Sequence, residues 1–214
     1  MSKNLADLRR DYSFESLTEQ EARKDPISQF SIWWQEAIDA KIDEANAMTL
    51  ATAAGDGVPS ARVVLLKEYS EEGFIFFTNY NSYKGQQIAE NPKACLLFFW
   101  KELERQVRII GIISKVGDQV NDDYFQSRPE ASRIGALVSP QSSVIEGRDW
   151  LDQRFNDKVR ELEGKFISRP AHWGGYIVKP VIMEFWQGRP SRLHDRLQYT
   201  LDEDGGWKME RLAP

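Results

Sequence analysis

One short stretch near the C-terminal end concentrates anion-binding chemistry: Arg192-Leu193-His194-Asp195-Arg196. Read as a strand, alternation puts Arg192, His194 and Arg196 on one face and Leu193 and Asp195 on the other. Same-face neighbours sit only ~7 Å apart, so two guanidiniums and an imidazole in a row repel one another unless anions answer them. Two arrangements supply anions. One is a pocket wall facing phosphate or carboxylate, which arginine's planar fork suits. The other is a solvated edge strand paired with carboxylates from a neighbouring strand. A second basic stretch, Arg62-Val63-Val64-Leu65-Leu66-Lys67, is apolar in the middle and charged at both ends. Alternation places Arg62 and Lys67 on opposite faces. They share a site only through a bulge; otherwise they serve two ligands, or snorkel from the strand ends.

Three further sets have suitable chemistry and equally plain structural alternatives. Ser82 reads as a helix N-cap with Lys84 in the first turn, either an ordinary capped helix or a phosphate site at free backbone N–H groups. Ser139-Pro140-Gln141-Ser142-Ser143 is a polar loop whose Gln and Ser side chains are good neutral donors to phosphate. Tyr124, Arg128 and Ser132, spaced four apart across Pro129, converge on an anion or lie on the surface. Trp186 shares the parity of Arg192, with a core position as its plain reading. Dinucleotide-binding, phosphate-loop and nucleophile-elbow motifs are absent.

These cations stand out because the chain of 214 residues carries a net charge of −5. An acidic balance argues against a nucleic-acid binder. One cysteine, Cys95, in an apolar run reads as a structural thiol, and with only two histidines a zinc site is not expected. The N-terminus has no apolar signal region and no stretch is long and apolar enough for a membrane span. The expected location is the cytoplasm.

The elements that must position these residues follow from periodicity and turn signals. Residues 1–24 are polar and read as a mobile arm, and residues 25–214 as a single domain. Asp25-Pro26 starts an amphipathic helix running to about Asn46. Strands are expected at 47–53 and 59–69, joined through Gly55-Asp56-Gly57, then at 74–78, 95–100 and 106–116, with a helix at 82–91. Helices at 120–127, 131–138 and 150–166 follow, the last with Leu151, Phe155, Val159, Leu162 and Phe166 on one stripe. Strands at 176–186, 192–201 and 207–212 close the chain. Successive strands joined by short turns imply an antiparallel barrel, mainly β with flanking helices (α+β).

Taken in order, Arg62-Val63-Val64-Leu65-Leu66-Lys67, Ser127-Arg128-Pro129, Gln141-Ser142-Ser143, Trp173-Gly174-Gly175, Glu184-Phe185-Trp186-Gln187-Gly188, Arg192-Leu193-His194-Asp195-Arg196 and Glu210-Arg211-Leu212-Ala213-Pro214 closely resemble the pyridoxamine 5′-phosphate oxidase family. The likeness runs from about Leu8 to Pro214. It implies an FMN-binding split β-barrel and a homodimer with FMN at the subunit interface. It assigns FMN to Arg62, Val63, Val64, Leu65, Leu66, Lys67, Phe77, Thr78, Tyr83, Lys84, Gln106, Gln141, Ser142, Trp186 and Arg196. It assigns the phosphorylated vitamin B6 substrate to Lys67, Tyr124, Arg128 and Ser132, its ring to Arg192, Leu193 and His194, and a closing segment to Arg9, Arg10 and Tyr12. Arg192 and His194 are the implied catalytic pair. Three positions depart from the family pattern: Tyr83 stands where many members carry a second basic residue, Phe77 where Tyr is common, and Asp11 where Glu is usual.

The implied reaction oxidises pyridoxine or pyridoxamine 5′-phosphate to pyridoxal 5′-phosphate, with O2 reduced to H2O2 and ammonia released from the amine. Two rivals stand beside it: another flavin oxidoreductase on the same barrel, and a non-catalytic flavin or pyridoxal-phosphate binding protein. The complete substrate set disfavours the first, and flavin reduction without oxygen discriminates the second.

Overall fold

Asp25 caps the first helix: its carboxylate accepts from the Ser28 backbone N–H at 2.7 Å, and Pro26 occupies the first helical position, where its missing N–H is harmless. The computed structural model describes Tyr12 and residues 15–214, so Arg9, Arg10 and most of the N-terminal arm lie outside the described residues. Helix α1 spans Pro26–Asp39 and stops well short of Asn46. Lys41 adopts a left-handed φ of 55°, Lys41 N–H donates to the Ile38 carbonyl and Ile42 N–H to the Ala37 carbonyl. This is a Schellman ending with lysine in the place glycine usually takes.

The strands are β1 (Ala47–Ala53), β2 (Pro59–Leu65), β3 (Glu68–Ser70), β4 (Gly73–Asn79), β5 (Lys93–Trp100), β6 (Arg105–Lys115), β7 (Trp173–Gln187), β8 (Asp195–Leu201) and β9 (Trp207–Arg211). The sheet order is β2-β1-β5-β6-β7-β4-β3, with β8 pairing β7 and β9 pairing β8. The β3–β4, β4–β7, β7–β8 and β8–β9 pairs are antiparallel. The helices after α1 are α2 (Tyr83–Glu90), α3 (Asp118–Ser127), α4 (Glu130–Val138) and α5 (Arg148–Leu162).

Residues group into two compact units. One comprises the described residues up to Leu50, Cys95–Gly111 and Pro180–Pro214. Its core packs Phe30, Trp33, Phe98, Trp100, Phe185 and Tyr199 in tilted and edge-on contacts, all buried. Arg105, also buried, donates to Gln187, Glu36 and Glu15 and lies over Trp33. The other unit comprises Ala51–Ala94 and Ile112–Lys179. A cluster of Phe125, Ile134, Val138, Ile167 and Trp173 fixes α3 and α4 there, with Phe155 and Leu162 of α5 packed against it.

Three further expectations are corrected. The strand expected at 59–69 breaks after Leu65, because Leu66 turns into the core and Lys67 N–H bonds the Ile75 carbonyl before β3 begins. Phe166 lies beyond the end of α5 and is 77% exposed, so it is not on that helix's apolar stripe. The strand expected from Arg192 starts only at Asp195. Pro190–Arg192 form a single 3-10 turn instead, with Ser191 and Arg192 at φ of 58° and 62°.

Candidate active site

The second unit holds a cavity of about 730 Å³. Among the described residues its wall carries four cations, Arg62, Lys67, Lys84 and Arg128, and no carboxylate. Arg62 and Lys67 reach one cavity because the chain leaves strand geometry after Leu65, so strict alternation does not extend to Lys67. Val63, Val64 and Leu65 line it as well, whereas Leu66 is buried in the core.

Lys84 is set by the start of α2. The Ser82 hydroxyl accepts from Gly85 N–H, and a Cβ on Gly85 would lie 2.0 Å from the Tyr80 carbonyl oxygen, so only glycine permits this turn. The Lys84 amine then donates to Gln141 Oε1 at 3.0 Å, Thr78 Oγ1 at 3.2 Å and Ser82 Oγ at 3.3 Å. These acceptors are neutral. Burial, and then the neighbouring Arg62, lower the amine's pKa to about 8. Arg62 donates to the hydroxyls of Thr52, at 2.6 Å, and Ser60.

Further along the wall, Phe77, Tyr124 and Trp173 stack nearly parallel, with 3.9 Å between the Phe77 and Tyr124 centroids and 5.5 Å between Phe77 and Trp173. The Arg128 guanidinium lies 4.6 Å above the Trp173 ring. Its Nη1 is buried with no hydrogen-bond partner among the described residues, and burial holds its pKa below the ordinary guanidinium range. The Lys67 amine is 6.0 Å from the Tyr124 ring centre, and Ser132 also lines the cavity. Helix α3, which presents Tyr124, is anchored to β7. Asn121 Oδ1 accepts from Gly175 N–H at 2.6 Å, and Arg169 bridges Asp122, Asp118 and the Trp173 carbonyl. Gln141 lines the cavity; Ser142, at φ 72°, and Tyr83 are exposed and do not.

The other predicted residues that are described lie in the first unit. Arg192, His194 and Arg196 do not share a strand face, because the turn at Pro190–Arg192 ends strand geometry before His194. Arg196 stands opposite Trp186 and donates to Glu184 Oε1 at 2.7 Å and to the Ala213 carbonyl. It therefore has the neighbouring-strand carboxylate that the structural alternative called for. Glu184 is 3% exposed and also binds Arg108. Burial pushes its pKa up, but hydrogen bonds from Arg196 and Arg108 outweigh this and leave it below the ordinary value. His194 packs on Trp186 with centroids 4.6 Å apart, and Tyr12 sits edge-on to both rings. Arg189 N–H donates to His194 Nδ1 at 3.0 Å, so the neutral ring carries its proton on Nε2. Burial and then Arg192 lower the His194 pKa, opposed by Asp195. Arg192 and Leu193 are exposed, and Gln106 is half-buried on β6.

Sequence reasoning passed over Glu184 as a charge partner, and passed over Thr52, Ser60 and Gln87, which back Arg62. Gln87 had a usable signal, a polar side chain on the buried stripe of α2 next to Ile88.

Residues 34–158 match the family model described as pyridoxamine 5′-phosphate oxidase, and residues 173–214 match that of the pyridoxine 5′-phosphate oxidase C-terminal dimerisation region. A curated pyridoxine/pyridoxamine 5′-phosphate oxidase from Nostoc sp. is 55% identical over 214 residues, covering 100% of both chains. One from Cupriavidus pinatubonensis is 56% identical over 210 residues, covering 98% of this chain and 99% of its own. Among solved structures, PhzG from Burkholderia lata in complex with tetrahydrophenazine-1-carboxylic acid is 30% identical with a TM-score of 0.88, covering 94% of this chain and 100% of that one. A pyridoxamine 5′-phosphate oxidase-related, FMN binding protein from Nostoc punctiforme shares the fold at 18% identity and a TM-score of 0.71, covering 89% of this chain and 98% of its own. The fold is the antiparallel split β-barrel with flanking helices.

Proposed function

The chain belongs to the pyridoxamine 5′-phosphate oxidase family, and from that premise we propose that this oxidoreductase converts pyridoxine and pyridoxamine 5′-phosphates to pyridoxal 5′-phosphate, using FMN and O2. The observation that carries this reading is the cavity wall, which among the described residues has four cations and no carboxylate. In a chain of net charge −5, such a wall is matched to phosphate monoesters, the group that FMN and both substrates share. The Arg128 Nη1, without a partner among the described residues, fits independently, since a phosphate oxygen would satisfy it.

Arg62 and Lys84 are assigned the FMN phosphate, with Gln106, Gln141, Ser142, Trp186 and Arg196 as further flavin contacts. Lys67, Tyr124, Arg128 and Ser132 are assigned the substrate phosphate. Holding the substrate by this remote group fixes the orientation of C4′ and removes much of the entropy cost of alignment. FMN, when bound, supplies the two-electron acceptor that O2 reoxidises with release of H2O2. Arg192 and His194 are assigned the substrate ring. With Nδ1 filled by the Arg189 N–H, His194 offers Nε2–H and acts toward the ring as a hydrogen-bond donor. The match to a dimerisation region supports a homodimer, and FMN is assigned to its interface. Among the described residues no helix is long and apolar enough to cross a membrane, and the reaction is assigned to the cytoplasm.

Under air, pyridoxine 5′-phosphate should yield pyridoxal 5′-phosphate and H2O2 in equal amounts, and pyridoxine without its phosphate should react far more slowly. Equal rates for the two would overturn the phosphate clamp. The likeness to PhzG favours one second reading, oxidation of a carboxylated ring. Faster turnover of such a compound than of pyridoxine 5′-phosphate would establish it.

A further inference from the structure

Behind Arg62 lies a buried polar cluster with a fixed direction of hydrogen bonding. A guanidinium can only donate. Arg62 Nη1 donates to Thr52 Oγ1 at 2.6 Å and Nη2 donates to Ser60 Oγ. Each hydroxyl has one hydrogen left to give, and both give it to the same atom, Gln87 Oε1, at 2.6 Å from each. Arg62 Nη2 also approaches that oxygen at 3.4 Å. Three donors therefore converge on one carbonyl oxygen, and this fixes the amide's orientation. The Gln87 Nε2 on the other side is buried and has no hydrogen-bond partner among the described residues. Gln87 is 2% exposed and Thr52 4%, so the cluster is a built part of the interior.

We propose that Gln87 is a positioning residue for the flavin phosphate. Through the Thr52 and Ser60 hydroxyls it aims the Arg62 guanidinium at the cavity, and because all three supports are neutral they do so without cancelling its charge. A carboxylate at this position would accept the same hydrogen bonds and place a negative charge behind Arg62, drawing the guanidinium back and lowering its attraction for phosphate. This inference rests on the proposed function, in which Arg62 holds the FMN phosphate.

The test uses FMN and riboflavin, which differ only in the phosphate. Affinities of both for the flavin-free full chain are measured by quenching of flavin fluorescence, for the wild type and for Gln87→Glu. The Glu variant has no unpaired amide donor and gains an ion pair, so it is expected to stay folded, with its melting temperature retained. FMN affinity is expected to fall by about tenfold or more, the scale of one charge-assisted contact, with riboflavin affinity unchanged within about twofold. Ser60→Ala, which removes one of the two hydroxyl relays, is the second arm; about a three- to tenfold loss for FMN alone is expected there. FMN affinity equal to wild type in both variants overturns the proposal. Equal losses for FMN and riboflavin also overturn it, since they mark a merely structural role. A wild-type chain that takes up no FMN overturns the functional reading itself, a distinct result.

Discussion

Replacing Arg128 by methionine is expected to move stability and substrate binding in opposite directions. The guanidinium Nη1 is buried without a partner among the described residues. A buried donor left unpaired costs about 1–3 kcal/mol. Against this stands the stacking on Trp173 at 4.6 Å, a cation–π contact worth about 0.5–2 kcal/mol. Methionine keeps the aliphatic contact and adds a sulfur–aromatic one of about 0.3–1.5 kcal/mol. The balance favours the variant by roughly 1 kcal/mol, a rise of about 2–4 °C in Tm for a chain of this size. Substrate binding goes the other way. Losing one charge-assisted bond to the phosphate costs about 1.5–3 kcal/mol, or roughly 10–150-fold in KM. Turnover should change less, because the phosphate contact is alike in the ground and transition states. Calorimetry of the flavin-free variant and steady-state peroxide formation with pyridoxine 5′-phosphate measure both. A variant that loses about 1 kcal/mol or more while KM stays put would refute the reasoning and make Arg128 a structural residue.

Three other outcomes follow from the same geometry. Because Lys84 titrates near pH 8 and phosphate favours its charged form, FMN affinity should fall as pH rises above 8, by up to about tenfold per unit. In Lys84→Met that fall should disappear, and an unchanged pH profile would remove Lys84 from the phosphate site. Arg192→Ala and His194→Ala should each lower kcat/KM by about tenfold or more while the protein stays yellow; lost flavin with unchanged turnover per bound flavin would contradict their assignment to the substrate ring. Glu184→Gln should destabilise the protein by about 1–3 kcal/mol at neutral pH, discounted for the partial exposure of its two arginines. The Glu184 pKa is lowered in the folded state, so this stabilisation is present above the unfolded value of 4.5 and is lost as pH falls through the folded one. Denaturant unfolding at neutral and acid pH should therefore show the variant's deficit shrinking in acid.

Much of the fold was legible where local chemistry and periodicity agree. Asp25 and Ser82 cap their helices as their positions imply, and β1 occupies Ala47–Ala53 as expected. Two of the misreadings occur where non-glycine residues take left-handed backbone. Lys41 ends α1 without a glycine to announce it, and Ser191 and Arg192 form a turn where a strand was expected to begin at Arg192. That second misreading carried the alternation argument for Arg192, His194 and Arg196 with it. The convergence of Arg62 and Lys67 was hidden for a different reason. A burial event at Leu66 ended the strand, and tertiary packing leaves no local mark on the sequence. Thr52, Ser60 and Gln87 were overlooked because single polar residues at strand and helix positions look ordinary until their shared acceptor is seen.

Mixing the purified, flavin-loaded protein with pyridoxine 5′-phosphate in the absence of oxygen tests the central claim most directly. The oxidised flavin's visible absorption should be lost on mixing and return when air is admitted, with pyridoxal 5′-phosphate formed in an amount matching the flavin. Absorption left unchanged by the substrate would contradict the account, leaving a protein that binds flavin and phosphorylated B6 without oxidising it.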